Sequence, residues 1–588
     1  MKLKEKTIQD DPRILLTGRL SSYLENPDRG TLPVSCTTIK PLSNDLSHLM
    51  DQTIYHAIIS LATAAGVNVH LDNFIFPGSR DVGDLILSLD STHPDIEEWE
   101  YASYTYEHTF KASLDNYYTL SLKDSLRYDK DVPGDMGIVN GLCHMFDMVS
   151  KGKNVLVVFD NLRPKGQQSS KVVSSGPNSF AHLFDCLYRL AQNFTVKNLL
   201  YFLGQINLVI RRGGIYKNGA ITTSMPLWHP NADDYLDLDP AVDHPGLQKG
   251  MVIPKNYEEF PRLILDVIDQ VNYGFLWMEQ AITPDRELLE SYSPNIEDRL
   301  LANVCREVFP EDRGTCMLSP VNLGQCTNTG DIKEAMTSLM DFLCKIHSKN
   351  LVSSSLASGI YLSSEEDKQV GLGYIGLANL LAIRGIKYQD FIDSFERAVE
   401  DLYEYENIDH LTCCQLAAYG ECSPADKLAC EFIEGVLSAA NVAKKHGMVR
   451  AFAIAPTASI SYRGKDKEGY TTTPEISPPI SDLVERVSPL GNHTYQYHPD
   501  VETAKEVGFN NYFRLVNTFQ KLHEFTGLAH AISFNLWEDI NLDWIEKWMD
   551  SNIRNTYYKL TIENDYLDKS GENLQCNLDG HCTACDED

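Results

Sequence analysis

Apolar and polar positions along this chain switch repeatedly between two periods. Val34-Ser35-Cys36-Thr37-Thr38-Ile39 is β-branched and reads as a strand. Residues 46–65 read as a helix and 66–71 as a second, glycine-led strand. Such alternation predicts an α/β architecture. Two stretches echo each other, 84–100 and 218–235. Each reads as a strand, a His-Pro turn (His93-Pro94, His229-Pro230) and an acidic helix start, where Asp and Glu suit the helix dipole. The echo fits a fold built from two related halves. Residues 161–166 and 174–180 are turn-rich and read as a loop entering a helix. Residues 237–250 read as a mobile loop, and 257–300, 330–349 and 388–448 as mainly helical. Residues 452–461 form an apolar strand ending in small hydroxyl residues. Residues 538–553 are an amphipathic helix bearing Trp544, Ile545, Trp548 and Met549, followed by a strand at 555–561. Tyr557 and Tyr558, adjacent in a strand, would point to opposite faces.

The densest candidate chemistry is Asn303-Val304-Cys305-Arg306-Glu307. An amide, a thiol and a carboxylate stand at alternate positions. In an extended segment the period of two puts all three on one side, and a further thiol follows at Cys316. Such a set can abstract, donate and accept hydrogens around a polyol. The plain alternative is packing, since cysteine is among the most buried residue types. Pro456-Thr457-Ala458-Ser459 would expose backbone N–H groups and hydroxyls, a phosphate cradle or else an ordinary capped turn. Gly371-Leu372-Gly373-Tyr374-Ile375-Gly376 matches G-x-G-x-x-G. The polar residues 363–369 before it are no buried strand, so close helix packing is the expected role of these glycines. Cys576, Cys582 and Cys585 lie in a Gly-, Asn- and Asp-rich tail, read as a mobile dithiol in preference to zinc ligands.

Composition narrows the partners. With 82 acidic against 51 basic residues in 588, the net charge is −31. Nucleic acid and anionic membranes are disfavoured, whereas a small phosphorylated substrate is not, because backbone amides bind phosphate with few cations. The 14 cysteines are scattered. The first residues lack an apolar signal core, and no apolar run suggests a membrane span. A reducing, cytoplasmic setting is expected, in which thiols cycle instead of forming structural disulfides.

These motifs together resemble the large catalytic subunit of ribonucleotide reductase, from about Ser21 to the last cysteine. Asn303-x-Cys305-x-Glu307 resembles the family's finger-loop motif, and Cys316 with its Leu-Ser-x-x-Asn-Leu-Gly resembles the next strand. Ser35-Cys36 is similar to the start of the barrel. Leu162-Arg163-Pro164-Lys165-Gly166 with Ser175-Gly176-Pro177 resembles an early loop and helix, and Pro456-Thr457-Ala458-Ser459 the substrate-phosphate loop.

The resemblance implies a ten-stranded α/β barrel of two five-stranded half-sheets with a central finger loop. Its expected parts are a lead-in at 1–35, the catalytic barrel with inserted helices at 36–570 and a flexible redox tail at 571–588. It implies reduction of ribonucleoside di- or triphosphates. Cys305 would carry a thiyl radical and take the 3′-hydrogen. Glu307 would be the general base on the 3′-OH, Asn303 would hold the hydroxyls and Cys36 would protonate the leaving 2′-OH. Cys36 and Cys316 would end as a disulfide, reduced by Cys582 and Cys585, with Cys576 a third candidate. Ser35, Ser21, Pro456, Thr457, Ala458 and Ser459 would bind substrate. No metal is expected on the chain.

The Tyr557-Tyr558 pair favours radical delivery from a ferritin-like metal subunit, with no cofactor bound directly. The short gap between Cys305 and Cys316 is more like the adenosylcobalamin-dependent branch, the alternative. A thioredoxin or glutaredoxin reductant, a homodimer and a nucleotide effector at 237–250 are implied as well. Against the resemblance, the helical region that normally precedes the first barrel cysteine is expected to be largely lost, or supplied by another chain, and no ATP-cone module is expected. The non-enzymatic rival is a degenerate barrel kept as a regulatory subunit; the three barrel thiols with Asn303 and Glu307 argue against it.

Overall fold

The computed structural model describes residues 8–25, 34–63, 65–101, 116–125, 135–169, 172–210, 220–282, 300–350, 360–405, 422–488, 491–557 and 559–560. The chain forms two compact units, Met1–Cys36 with Ile268–Asp588, and Thr37–Val267. Both are mixed α/β, as the alternating periods predict. Among the described residues no helix is long and apolar enough to cross a membrane.

The first unit is built on four parallel strands in the order Leu318–Asn322, Gln369–Ile375, Arg450–Ile454, Ala529–Ile532. Parallel neighbours need crossovers, and the helices Asp331–Asn350, Tyr388–Tyr405, Pro424–Lys445 and Phe509–Phe525 fall between consecutive strands. Ser423 and Asp426 close a capping box that starts the third of these. An aromatic cluster of Tyr374, Phe391, Phe395, Phe432 and Phe519 joins sheet to helices, with Phe395 and Phe519 ring centroids 4.7 Å apart.

The glycine motif is part of this sheet, which corrects the expected helix-packing role. Gly371 lies in the strand Gln369–Ile375, and a Cβ there would meet Leu318 Cδ2 at 2.1 Å. The glycine lets neighbouring strands close up. Gly376 ends the strand at φ +77°, a left-handed conformation that favours glycine.

In the second unit Gly66–His70, Ile221–Pro226 and Gln248–Ile253 run parallel. They are almost wholly buried, as parallel strands covered on both faces are. The echo between 84–100 and 218–235 is real down to single hydrogen bonds. His93 accepts from the Asp95 N–H through Nδ1, and its Nε2 faces the Leu162 carbonyl at 2.9 Å. His229 repeats this with the Asn231 N–H and the Phe74 carbonyl at 3.0 Å. Each imidazole ties the strand-to-helix turn to a neighbouring segment.

Three expectations need correction. Residues 238–247 are loop and turn, but 248–250 begin a strand, where Lys249 is fully buried and donates to the carbonyls of Tyr235 and Leu238. Within 257–300, Leu276–Gln280 is a strand, not helix. Among the described residues, Asn555 and Lys559 make isolated bridges (Glu279 with Asn555, Leu536 with Lys559) in place of a regular strand.

Candidate active site

The site lies within the first unit. Residues 301–310 form a buried finger whose ends are tied by Leu301 N–H to Pro310 O and Asn303 N–H to Val308 O. Its tip is a turn, which corrects the expected extended segment. Arg306 takes φ +67°, a conformation uncommon for a side-chain-bearing residue. The surroundings fix it there. Asn555 Nδ2 donates to the Arg306 carbonyl at 2.9 Å, and Ser533 Oγ to the Cys305 carbonyl at 2.8 Å. The guanidinium forms a 2.8 Å ion pair with Glu279, both side chains being about 1% exposed. It also lies 5.1 Å over the Trp277 ring. Asn303 and Glu307 still meet, because the turn folds the loop back rather than because a strand alternates.

The amide of Asn303 has a fixed orientation. Val308 N–H donates to its Oδ1 at 3.2 Å, so its Nδ2 faces inward. That nitrogen donates to Glu307 Oε1 at 3.0 Å and to Cys36 Sγ at 2.9 Å. Cys316 completes the cluster: ligand atoms of Cys36, Glu307 and Cys316 all lie within 4.8 Å of one another. Ser35 holds the two thiols side by side, its N–H donating to the Cys316 carbonyl at 2.9 Å. Cys36, Asn303, Cys305, Glu307 and Cys316 are all buried. A soft divalent cation also favours two sulfurs and a carboxylate. Here the Asn303 N–H is directed at two of those three groups, which suits hydrogen-bonded side chains facing a polar substrate.

Cys316 sits on an anchored segment. Thr315 donates to Asp367 Oδ2 through its N–H at 2.9 Å and its hydroxyl at 2.6 Å, and Gln369 Nε2 donates to the other oxygen. Burial pushes the Asp367 carboxyl up to about 7 from 3.8. The folded state therefore holds a proton that the unfolded state releases. That stabilisation is complete below pH 3.8 and is lost as pH rises to about 7, at about 1.4 kcal/mol for each pH unit in between. Asp367→Asn is expected to flatten this decline, read as urea midpoints across the window. Equal slopes for variant and parent would show that the carboxyl is ionised throughout.

Beside the thiols opens a cleft lined by Thr17, Gly18, Ser35, Pro456, Thr457 and Arg463, floored by small apolar residues such as Ala453 and Ala455. Of the expected substrate residues, Ser35, Pro456 and Thr457 line it. Ala458 and Ser459 start the helix Ala458–Arg463 without lining it, and Ser21 sits on the helix Gly18–Glu25, away from the lining. Tyr557 is buried with its ring 5.0 Å from Trp277. Tyr558, Cys576, Cys582 and Cys585 lie outside the described residues.

The sequence reading missed Trp277, Glu279, Asp367 and Arg463. Trp277 and Glu279 had a legible signal, a spacing of two in an apolar segment, obscured by reading that segment as helix.

Residues 295–418 match the family model for the ribonucleotide reductase barrel domain. No curated protein matches the sequence. A solved B-12 dependent (class II) ribonucleotide reductase has a similar fold, with a TM-score of 0.61 at 10% identity, over 95% of this chain and 84% of that one. The alpha subunit of a class Id ribonucleotide reductase from Actinobacillus ureae aligns with a TM-score of 0.42 at 14% identity, over 77% and 84%. The family match thus covers the finger, and the fold is similar to that of the class II enzyme over nearly the whole of this chain.

Proposed function

We propose that this chain is the catalytic subunit of a ribonucleotide reductase and converts ribonucleoside diphosphates to 2′-deoxyribonucleotides. The observation that carries this is the meeting of Asn303, Glu307, Cys36 and Cys316 on and beside the loop that bears Cys305, with Ser35, the neighbour of Cys36, lining a cleft. Cys305, as a thiyl radical, takes the 3′-hydrogen and returns it at the end. Glu307 accepts the 3′-OH proton, with Asn303 holding the carboxylate in place. Cys36 protonates the departing 2′-OH, which leaves as water. The Cys36 and Cys316 thiols supply two electrons and become a disulfide. The tail thiols Cys582 and Cys585 then reduce that disulfide by exchange, and a thioredoxin or glutaredoxin recharges them. Burial of the cluster keeps water from the radical.

The radical comes from a ferritin-like metal subunit through Tyr558 and Tyr557. A second reading, adenosylcobalamin as the source, is favoured by the short interval from Cys305 to Cys316 and by the B-12 dependence stated for the solved enzyme of similar fold. Deoxynucleotide formation should be assayed with a dithiol reductant, with and without the metal subunit and with and without adenosylcobalamin. Product is expected only with the metal subunit. Product with adenosylcobalamin alone would replace the first reading by the second, and no product in any combination would refute both.

A further inference from the structure

Among the described residues, the cleft beside the thiols is lined by one charged side chain, Arg463. In a chain with 82 acidic residues this is unusual, because arginines here generally have carboxylate partners. Arg13, Arg384, Arg397, Arg514 and Arg554 each make an ion pair at 2.5–3.0 Å. Among the described residues Arg463 makes none, and no acidic residue lines the cleft. An arginine left without a carboxylate in a concave site is suited to an anion that arrives from outside.

The position of Arg463 says which part of a ligand it meets. The inner end of the cleft is Ser35, 7% exposed and adjacent to Cys36, and Thr457 is equally buried. Arg463 is exposed, at the far end of the helix Ala458–Arg463. A ribose over the thiols would put its first phosphate near Thr457, so the next phosphate points outward, toward the guanidinium. Thr17 and Gly18, at the start of the eight-residue helix Gly18–Glu25, add a positive dipole end to the same cleft. The ordinary alternative is a basic residue at a helix C-terminus, where it complements the dipole and touches no ligand.

We propose that Arg463 is the specificity residue for the terminal phosphate, pairing with the β-phosphate of a ribonucleoside diphosphate and so separating diphosphates from monophosphates. This rests on the ribonucleotide reductase reading, and the test keeps the two apart. Equilibrium binding of CDP and of CMP is measured on the full chain, as parent, Arg463→Gln and Arg463→Lys, with thermal unfolding as a check on folding. In Arg463→Gln the Kd for CDP is expected to rise about tenfold or more, the size of a lost charge-assisted contact. The Kd for CMP should move less than twofold, so the preference for CDP collapses. Arg463→Lys should recover part of it and keep the steeper salt dependence of the parent. A CDP preference unchanged in a folded Arg463→Gln overturns the proposal, as does equal weakening of CDP and CMP. A parent chain that binds neither nucleotide refutes the ribonucleotide reading itself.

Discussion

Cys305→Ser is expected to bring nucleotide reduction down to background while the protein folds and binds CDP like the parent. A serine O–H bond is too strong for its oxygen radical to be formed by the same oxidant, so the 3′-hydrogen is never taken. The structure explains why the change should stay local. The loop holds Cys305 through its backbone carbonyl, which accepts from Ser533 Oγ, and a serine leaves that bond intact. The Asn303 contacts with Cys36 and Glu307 do not involve the Cys305 side chain. The Arg306–Glu279 pair, which holds the turn in its left-handed conformation, is also untouched. Product formation, a thermal unfolding curve and a CDP titration settle the matter together. Turnover within tenfold of the parent would end the assignment of the radical to this sulfur. Loss of folding would mean that the thiol is a packing element.

Much of this site was legible because its signals are local. The strand–helix alternation and the repeated His-Pro turn are short-range patterns, and both stand in the structure, the second with matching imidazole bonds at His93 and His229. What spacing could not supply was the form of the finger. A period of two suggested an extended segment at 303–307, whereas long-range contacts from Asn555, Ser533 and Glu279 impose a turn. Tertiary context outweighed the local pattern there. The same is true of Gly371. Its role depends on Leu318 in the next strand, some fifty residues earlier. Arg463 was hidden for a different reason. A lone basic residue in the last turn of a short helix looks like dipole compensation until the cleft beside it is seen.

Tyr557→Phe is the substitution that separates the two radical sources. The ring packs 5.0 Å from Trp277, and the Tyr557 N–H donates to the Phe534 carbonyl at 2.7 Å. Phenylalanine keeps the ring contact and the backbone bond, and only the hydroxyl goes. A radical that travels from a metal subunit through a tyrosine pair cannot rest on phenylalanine, whose ring has no acidic proton to release on oxidation. Turnover should then fall at least a thousandfold with folding unchanged. A cofactor that forms the thiyl directly at Cys305 has no need of the phenol, and Tyr557→Phe should keep turnover within a few-fold. Trp277 is a poor detour for the hole. The guanidinium of Arg306 lies 5.1 Å over its ring, and a cation there disfavours an indole radical cation, a repulsion that the neighbouring Glu279 only partly offsets. The Tyr557→Phe chain is to be assayed beside the parent with the metal subunit and, separately, with adenosylcobalamin. Loss in the first assay with no activity in the second supports the tyrosine route, whereas undiminished turnover in either one excludes it.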